Sequence, residues 1–152
     1  NPEDGSIEFV SPPWDVESHG DAPIVEVSLN GYNWTNWCTH YEYRTFSLAS
    51  FEPEKGPAGV TLKLRGDGLR ACAGTSVRFT VTRADSGEVL TNVVAGLFDE
   101  AEGCVTCEAP VFEGLTGSFT AKIELALNGQ QYMGLPEGGL EFKYEQPKGK
   151  KK

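Results

Sequence analysis

The chain has 152 residues, 39% of them apolar, with eighteen glycines, nine prolines and a formal net charge of −9. Four of the thirteen basic residues (Lys148, Lys150, Lys151 and Lys152) sit in the last five positions, so the rest carries −13 (−9 − 4). That field repels a phosphate backbone and excludes nucleic-acid binding by the folded part. No apolar run approaches the ~18–20 residues of a membrane-spanning helix, and the frequent Gly and Pro suit short strands joined by turns.

In chain order, the first strand signal covers residues 24–30, where Val25, Val27 and Leu29 alternate with Glu26, Ser28 and Asn30. A period of two sends one row into a core and the other toward water. Asn30-Gly31 follows, and both residue types tolerate the positive φ of a tight reversal. Trp34 and Trp37 come next, then a second strand signal at Tyr41-Glu42-Tyr43. Residues 45–50 hold no Gly/Ser- or Pro-rich linker, so the first segment hands directly to the next. Alternating runs at 60–64 and 77–81 are divided by Gly66-Asp67-Gly68. Residues 87–94 and 103–107 are further strand candidates, and the polar 77–98 stretch is long enough for an extended hairpin. Residues 95–102 are expected to form a turn, because the segment is short and has Gly96 near its start. Ile123, Leu125 and Leu127 then alternate with Glu124, Ala126 and Asn128, and residues 139–144 close the sheet.

Residues 24–31 (Ile-Val-Glu-Val-Ser-Leu-Asn-Gly) match residues 122–129 (Lys-Ile-Glu-Leu-Ala-Leu-Asn-Gly) at an offset of 98 (128 − 30). The same offset carries Pro12 onto Pro110, Trp14 onto Phe112 and Trp34 onto Tyr132, and three extra residues then bring Tyr41 onto Phe142 and Tyr43 onto Tyr144. A period this long exceeds the ~20–50 residues of a solenoid unit and fits the ~100 of an immunoglobulin-like sandwich. The expected fold is therefore all-β: an immunoglobulin-like antiparallel β-sandwich. One complete repeat, residues 47–146, follows the C-terminal half of another, residues 1–46, and a basic tail, residues 147–152, ends the chain.

From about Phe51 onward the chain resembles the IPT/TIG branch of such folds. Pro53, Gly56, Pro57 and Gly59 look like the family's opening, Gly66-Asp67-Gly68-Leu69 like its Gly-x-Gly-Leu turn, and Cys107-Glu108-Ala109-Pro110 like its mid-domain Cys-x-x-Pro. Leu127-Asn128-Gly129 with Phe142-Lys143-Tyr144 resembles the closing pattern, which filamin-type repeats share. The resemblance implies a non-catalytic structural or protein-interaction module of a larger multi-repeat protein, read as a cytoskeletal or ciliary scaffold; the Pro147-Lys148-Gly149-Lys150 tail and the lack of a paired cysteine framework favour the cytoplasm. The alternative is an extracellular receptor or adhesion module, or a carbohydrate-associated domain. Expected partners are proteins, docking by strand addition or by completing the truncated first repeat. Val25, Val27, Leu29 and Trp37 are the expected contacts. Nucleic acid, membrane insertion and cofactors are not expected.

Cys104-Val105-Thr106-Cys107 lies in a predicted strand rather than at the helix start that lowers a thiol pKa. A zinc site would need two more ligands, and Cys38, His40 and Cys72 form no second matching pair. An extracellular setting would allow a Cys72–Cys104 disulfide and a glycan at Asn33 of Asn33-Trp34-Thr35. Asp99, Glu100 and Glu102 match no calcium loop and read as a solvated turn. With His19 and His40 the only histidines, no nucleophile, base and orienting group assemble, so no enzyme is expected.

Overall fold

A computed structural model describes residues 4–12, 18, 20, 23–36, 39–41, 45–135 and 141–145. The chain divides into two compact units, Asn1–Thr45 and Phe46–Lys152. In the first, β1 (Ile24–Val25) pairs antiparallel with β2 (Thr39–His40). The second holds β3 (Ser47–Glu52), β4 (Lys55–Gly56), β5 (Thr61–Asp67), β6 (Ser76–Thr82), β7 (Val89–Ala95), β8 (Leu97–Asp99), β9 (Cys104–Glu108), β10 (Phe119–Ala126), β11 (Met133–Gly134) and β12 (Phe142–Tyr144).

The second unit is an all-β sandwich. One sheet runs β3-β5-β9-β8; the other runs β4-β12-β10-β6-β7, with β11 also on β10. Neighbouring strands are antiparallel except β4 and β12, which run parallel. Alternation explains the core. Leu62 and Leu64 of β5 and Val105 and Cys107 of β9 face inward from the first sheet, and Val77, Phe79, Val81, Ala121, Ile123, Leu125, Phe142 and Tyr144 from the second. The rows interleave as one apolar cluster, the main source of stability in such a body.

Two glycines fix how the strands approach. β3 shifts register between Leu48 and Ser50, and Leu48 sits opposite Gly66 of β5. A Cβ at Gly66 would overlap the Ser47 carbonyl oxygen, so only glycine admits the bulged strand. Gly96 is the single residue between β7 and β8, where the chain crosses from one sheet to the other. Its N–H donates to the Thr75 carbonyl at 3.0 Å, and a Cβ there would press on Thr75 and Val105 at 2.9 Å.

That crossing corrects the expectation of a turn over residues 95–102. Leu97–Asp99 is a short strand on β9, and the turn follows it. The 77–98 stretch holds a hairpin in which β6 and β7 pair at all seven positions of each. In the first unit the 24–30 alternation yields only the two-residue β1. A strand needs a neighbour to become a ladder, and among the described residues β1 pairs only with β2.

Candidate interaction surface

β7 reads Val-Leu-Thr-Asn-Val-Val-Ala, with no charge, proline or glycine. Leu90, Asn92 and Val94 face the core side and are half-buried, while Val89, Thr91, Val93 and Ala95 are exposed. Its inner edge is bonded to β6, and among the described residues its outer edge pairs with nothing. Edge strands normally carry lysine, proline or a bulge that discourages a visiting strand. β7 carries none of these.

The space between this edge and the opposite sheet is pinned at its middle. The Asn92 side-chain amide donates to the Val111 carbonyl at 2.9 Å, tying β7 to the segment after β9. That segment is held in turn by the Tyr144 hydroxyl, which donates to the Pro110 carbonyl at 2.9 Å, and by edge-on packing of Phe112 against Tyr144 at 5.8 Å. On either side of the pin lies a cleft. One, of about 350 Å3, is lined by Leu90, Thr91, Asn92, Val111, Phe112 and Glu113. The other, of about 440 Å3, is lined by Thr61, Val94, Ala95, Leu97, Thr106, Cys107 and Glu108. Each has one carboxylate and no cationic side chain in its lining. Val89, Val93, Leu97 and Val111 are large apolar side chains left exposed around them.

The outer face of the β3-β5-β9-β8 sheet is different in kind. Lys63 reaches Glu102 at 2.7 Å, and Arg65 joins Glu102 at 3.1 Å and Glu52 at 3.2 Å. The hydrogen bond from Lys63 holds the Glu102 carboxyl below its ordinary pKa, with Arg65 adding to the effect. These side chains are solvated, so the network orders the surface more than it stabilises the fold.

Cys104 and Cys107 stand three positions apart on β9, which points them to opposite faces. Cys107 is in the core, where burial pushes its thiol up to about 12. Cys104 is fully enclosed on the outer face; burial raises its pKa, and the nearby Arg65 only partly opposes that. Neither is an activated thiolate. Cys72 packs against the core from the loop before β6, and Cys72 and Cys104 are both free thiols. Among the described residues no group of three or more His, Cys, Asp and Glu converges as a metal site.

Of the residues singled out from sequence, Val25 is half-buried, and Val27, Leu29 and Asn33 are exposed. The Thr35 hydroxyl of the glycosylation triplet accepts from the Val27 N–H at 3.0 Å. Trp37 and Cys38 lie outside the described residues. The β7 edge was not singled out, although its signal is present: seven consecutive uncharged residues, three of them valine. No protein-family model, curated protein or solved structure matches the chain.

Proposed function

We propose that the chain is a non-catalytic protein-interaction module of a multi-repeat scaffold, built on an immunoglobulin-like sandwich of the IPT/TIG or filamin kind and suited to a cytoskeletal or ciliary assembly. The strand order supports the fold reading. β3-β5-β9-β8 and β12-β10-β6-β7 follow the A-B-E-D and G-F-C-C′ arrangement of immunoglobulin sandwiches.

The observation that carries the proposal is the open, uncharged β7 edge between two clefts. Its occupant is an extended segment of a protein partner. Backbone hydrogen bonds to β7 supply affinity, and apolar side chains at alternate positions enter the clefts. Glu108 and Glu113 line the two clefts, whereas Glu88 is already paired with Arg83 at 3.6 Å, so lysine or arginine flanking the apolar stretch complements the clefts.

The test uses two synthetic peptides of alternating Val and Thr, one flanked by lysines and the other by glutamates. The Lys-flanked peptide is expected to bind about tenfold more tightly, with an advantage that shrinks in salt. A Val89→Lys/Val93→Lys variant, altered only at exposed positions, is expected to lose that binding while melting as before. Equal binding to the variant, or none to the unaltered protein, overturns the proposal.

A further inference from the structure

The first unit repeats the geometry of the hairpin that closes the second. The Thr35 N–H donates to the Val27 carbonyl at 3.0 Å. The offset of 98 carries that pair onto Met133 and Leu125, which are paired between β11 and β10. On the returning strand the shift is 101 (142 − 41). Pro23 and Tyr41, joined by a Tyr41 N–H bond to the Pro23 carbonyl at 3.0 Å, then fall on Ala121 and Phe142, partners between β10 and β12. Two pairs on two different strand contacts thus share one register.

What differs is the cover. Ile123, Leu125 and Leu127 are 2%, 0% and 8% exposed, whereas their counterparts Val27 and Leu29 are 36% and 90% exposed and Val25 is half-buried. Further upstream the offset places Ile7 and Phe9 on Val105 and Cys107. The latter are 0% and 5% exposed, the former 59% and 62%. Residues 7–10 therefore correspond to β9 and residues 23–41 to the closing hairpin, one row from each sheet of a sandwich. In the second unit these rows share one apolar cluster with Leu62 and Leu64 of β5, which pairs with β9, and with Val77 and Phe79 of β6, which pairs with β10.

We infer that the first unit is the closing half of its own sandwich, completed by front-half strands equivalent to β3–β8, which contribute to both sheets, and supplied by polypeptide directly upstream in the same protein. The second unit sets the precedent, since its covering strands immediately precede β9 in sequence. A second copy of the chain is a poor donor, because its β3–β8 are already paired within its own second unit. The expected occupant is about 55 residues of alternating apolar strand, the remainder of a sandwich of roughly 100. Its inner row would lie on Ile7, Phe9, Val25, Val27 and Leu29. The inference does not depend on the β7 edge.

Amide hydrogen exchange tests it, comparing the 152-residue chain with the same chain extended by about 55 residues of its own upstream coding sequence. Exchange across residues 23–36 is expected to slow by about 100-fold or more on extension, toward the rates of residues 121–134. A chimera in which residues 47–104 of this chain run directly into Ile7 gives a second reading that needs no upstream sequence. It is expected to show an additional cooperative transition that Val27→Asp removes. The inference is overturned if residues 23–36 are already as protected as residues 121–134 in the monomeric 152-residue chain. It is equally overturned if neither extension nor chimera protects them, or if protection arises only on adding a separate chain.

Discussion

Asn30 and Asn128 close their turns with the same pair of hydrogen bonds. The Oδ1 of Asn30 accepts from the N–H groups of Tyr32 at 3.0 Å and Asn33 at 2.9 Å; that of Asn128 accepts from Gln130 at 3.0 Å and Gln131 at 2.9 Å. Gly31 and Gly129 follow with φ of 78° and 71°, a conformation that L side chains adopt only with strain. One side-chain oxygen thus satisfies two turn amides. Asn128→Ala is expected to cost about 1–2 kcal/mol in chemical denaturation of the second unit, and Asn128→Asp, which keeps the acceptor, less. Asn30→Ala should speed exchange of the Tyr32 and Asn33 amides.

Gly66 stands where β5 passes the bulge of β3, with the Ser47 carbonyl oxygen in the place a Cβ would take. Gly66→Ala must push the two strands apart. The expected loss is about 1–3 kcal/mol, read as a lower denaturation midpoint with an unchanged slope.

Glu124 lies between Arg78 at 2.7 Å and Lys122 at 3.1 Å, and the Arg78 guanidinium rests 4.1 Å from the Tyr132 ring centre. Burial of the carboxyl works against its charge, but hydrogen bonds from Lys122 and Arg78 outweigh that and set its pKa below the ordinary carboxylate value. A depressed folded-state pKa adds stability above the unfolded pKa, and that stability is lost as pH falls through the folded value. Glu124→Gln should therefore be less stable than the unaltered protein at neutral pH, by about 1 kcal/mol, with the difference closing in acid. A gap that persists unchanged to low pH would show that charge is not its cause.

Cys107, with its thiol near 12 against an ordinary 9.0, should hold about 1,000-fold less thiolate at pH 8 than an unperturbed cysteine. Among the described cysteines, alkylation of the native protein is expected to label Cys72 before Cys104 and Cys107, which it reaches only on unfolding, as peptide mapping over time would show. Rapid labelling of Cys107 in the folded protein would mean that β9 opens readily.

Alternation alone made most of the second unit legible. Ile123, Leu125 and Leu127 announced β10, and Leu62, Leu64, Val77, Phe79 and Val81 announced two more core strands, because a half-buried strand writes its two faces into every second residue. Asn30-Gly31 and Asn128-Gly129 marked reversals that the structure forms. What stayed hidden depended on neighbours. The 24–30 alternation matches that of β10, yet β1 is two residues long, and among the described residues no strand equivalent to β6 lies beside it. Gly96 read as the start of a turn because nothing local shows that one glycine lets the chain change sheets. The β7 edge was missed for a related reason. Its lack of charge is visible in sequence, but that it ends the sheet is a property of the topology.

The openness of that edge can be read directly by amide exchange along β7, resolved residue by residue in the free monomer. An unpaired edge strand turns alternate N–H groups toward β6 and toward water. Residues 89–95 are therefore expected to alternate between slow and fast exchange, and the Lys-flanked peptide should slow the fast set. Uniform slow exchange at all seven positions in the free protein would mean that the edge is already covered, and would contradict the proposed docking mode.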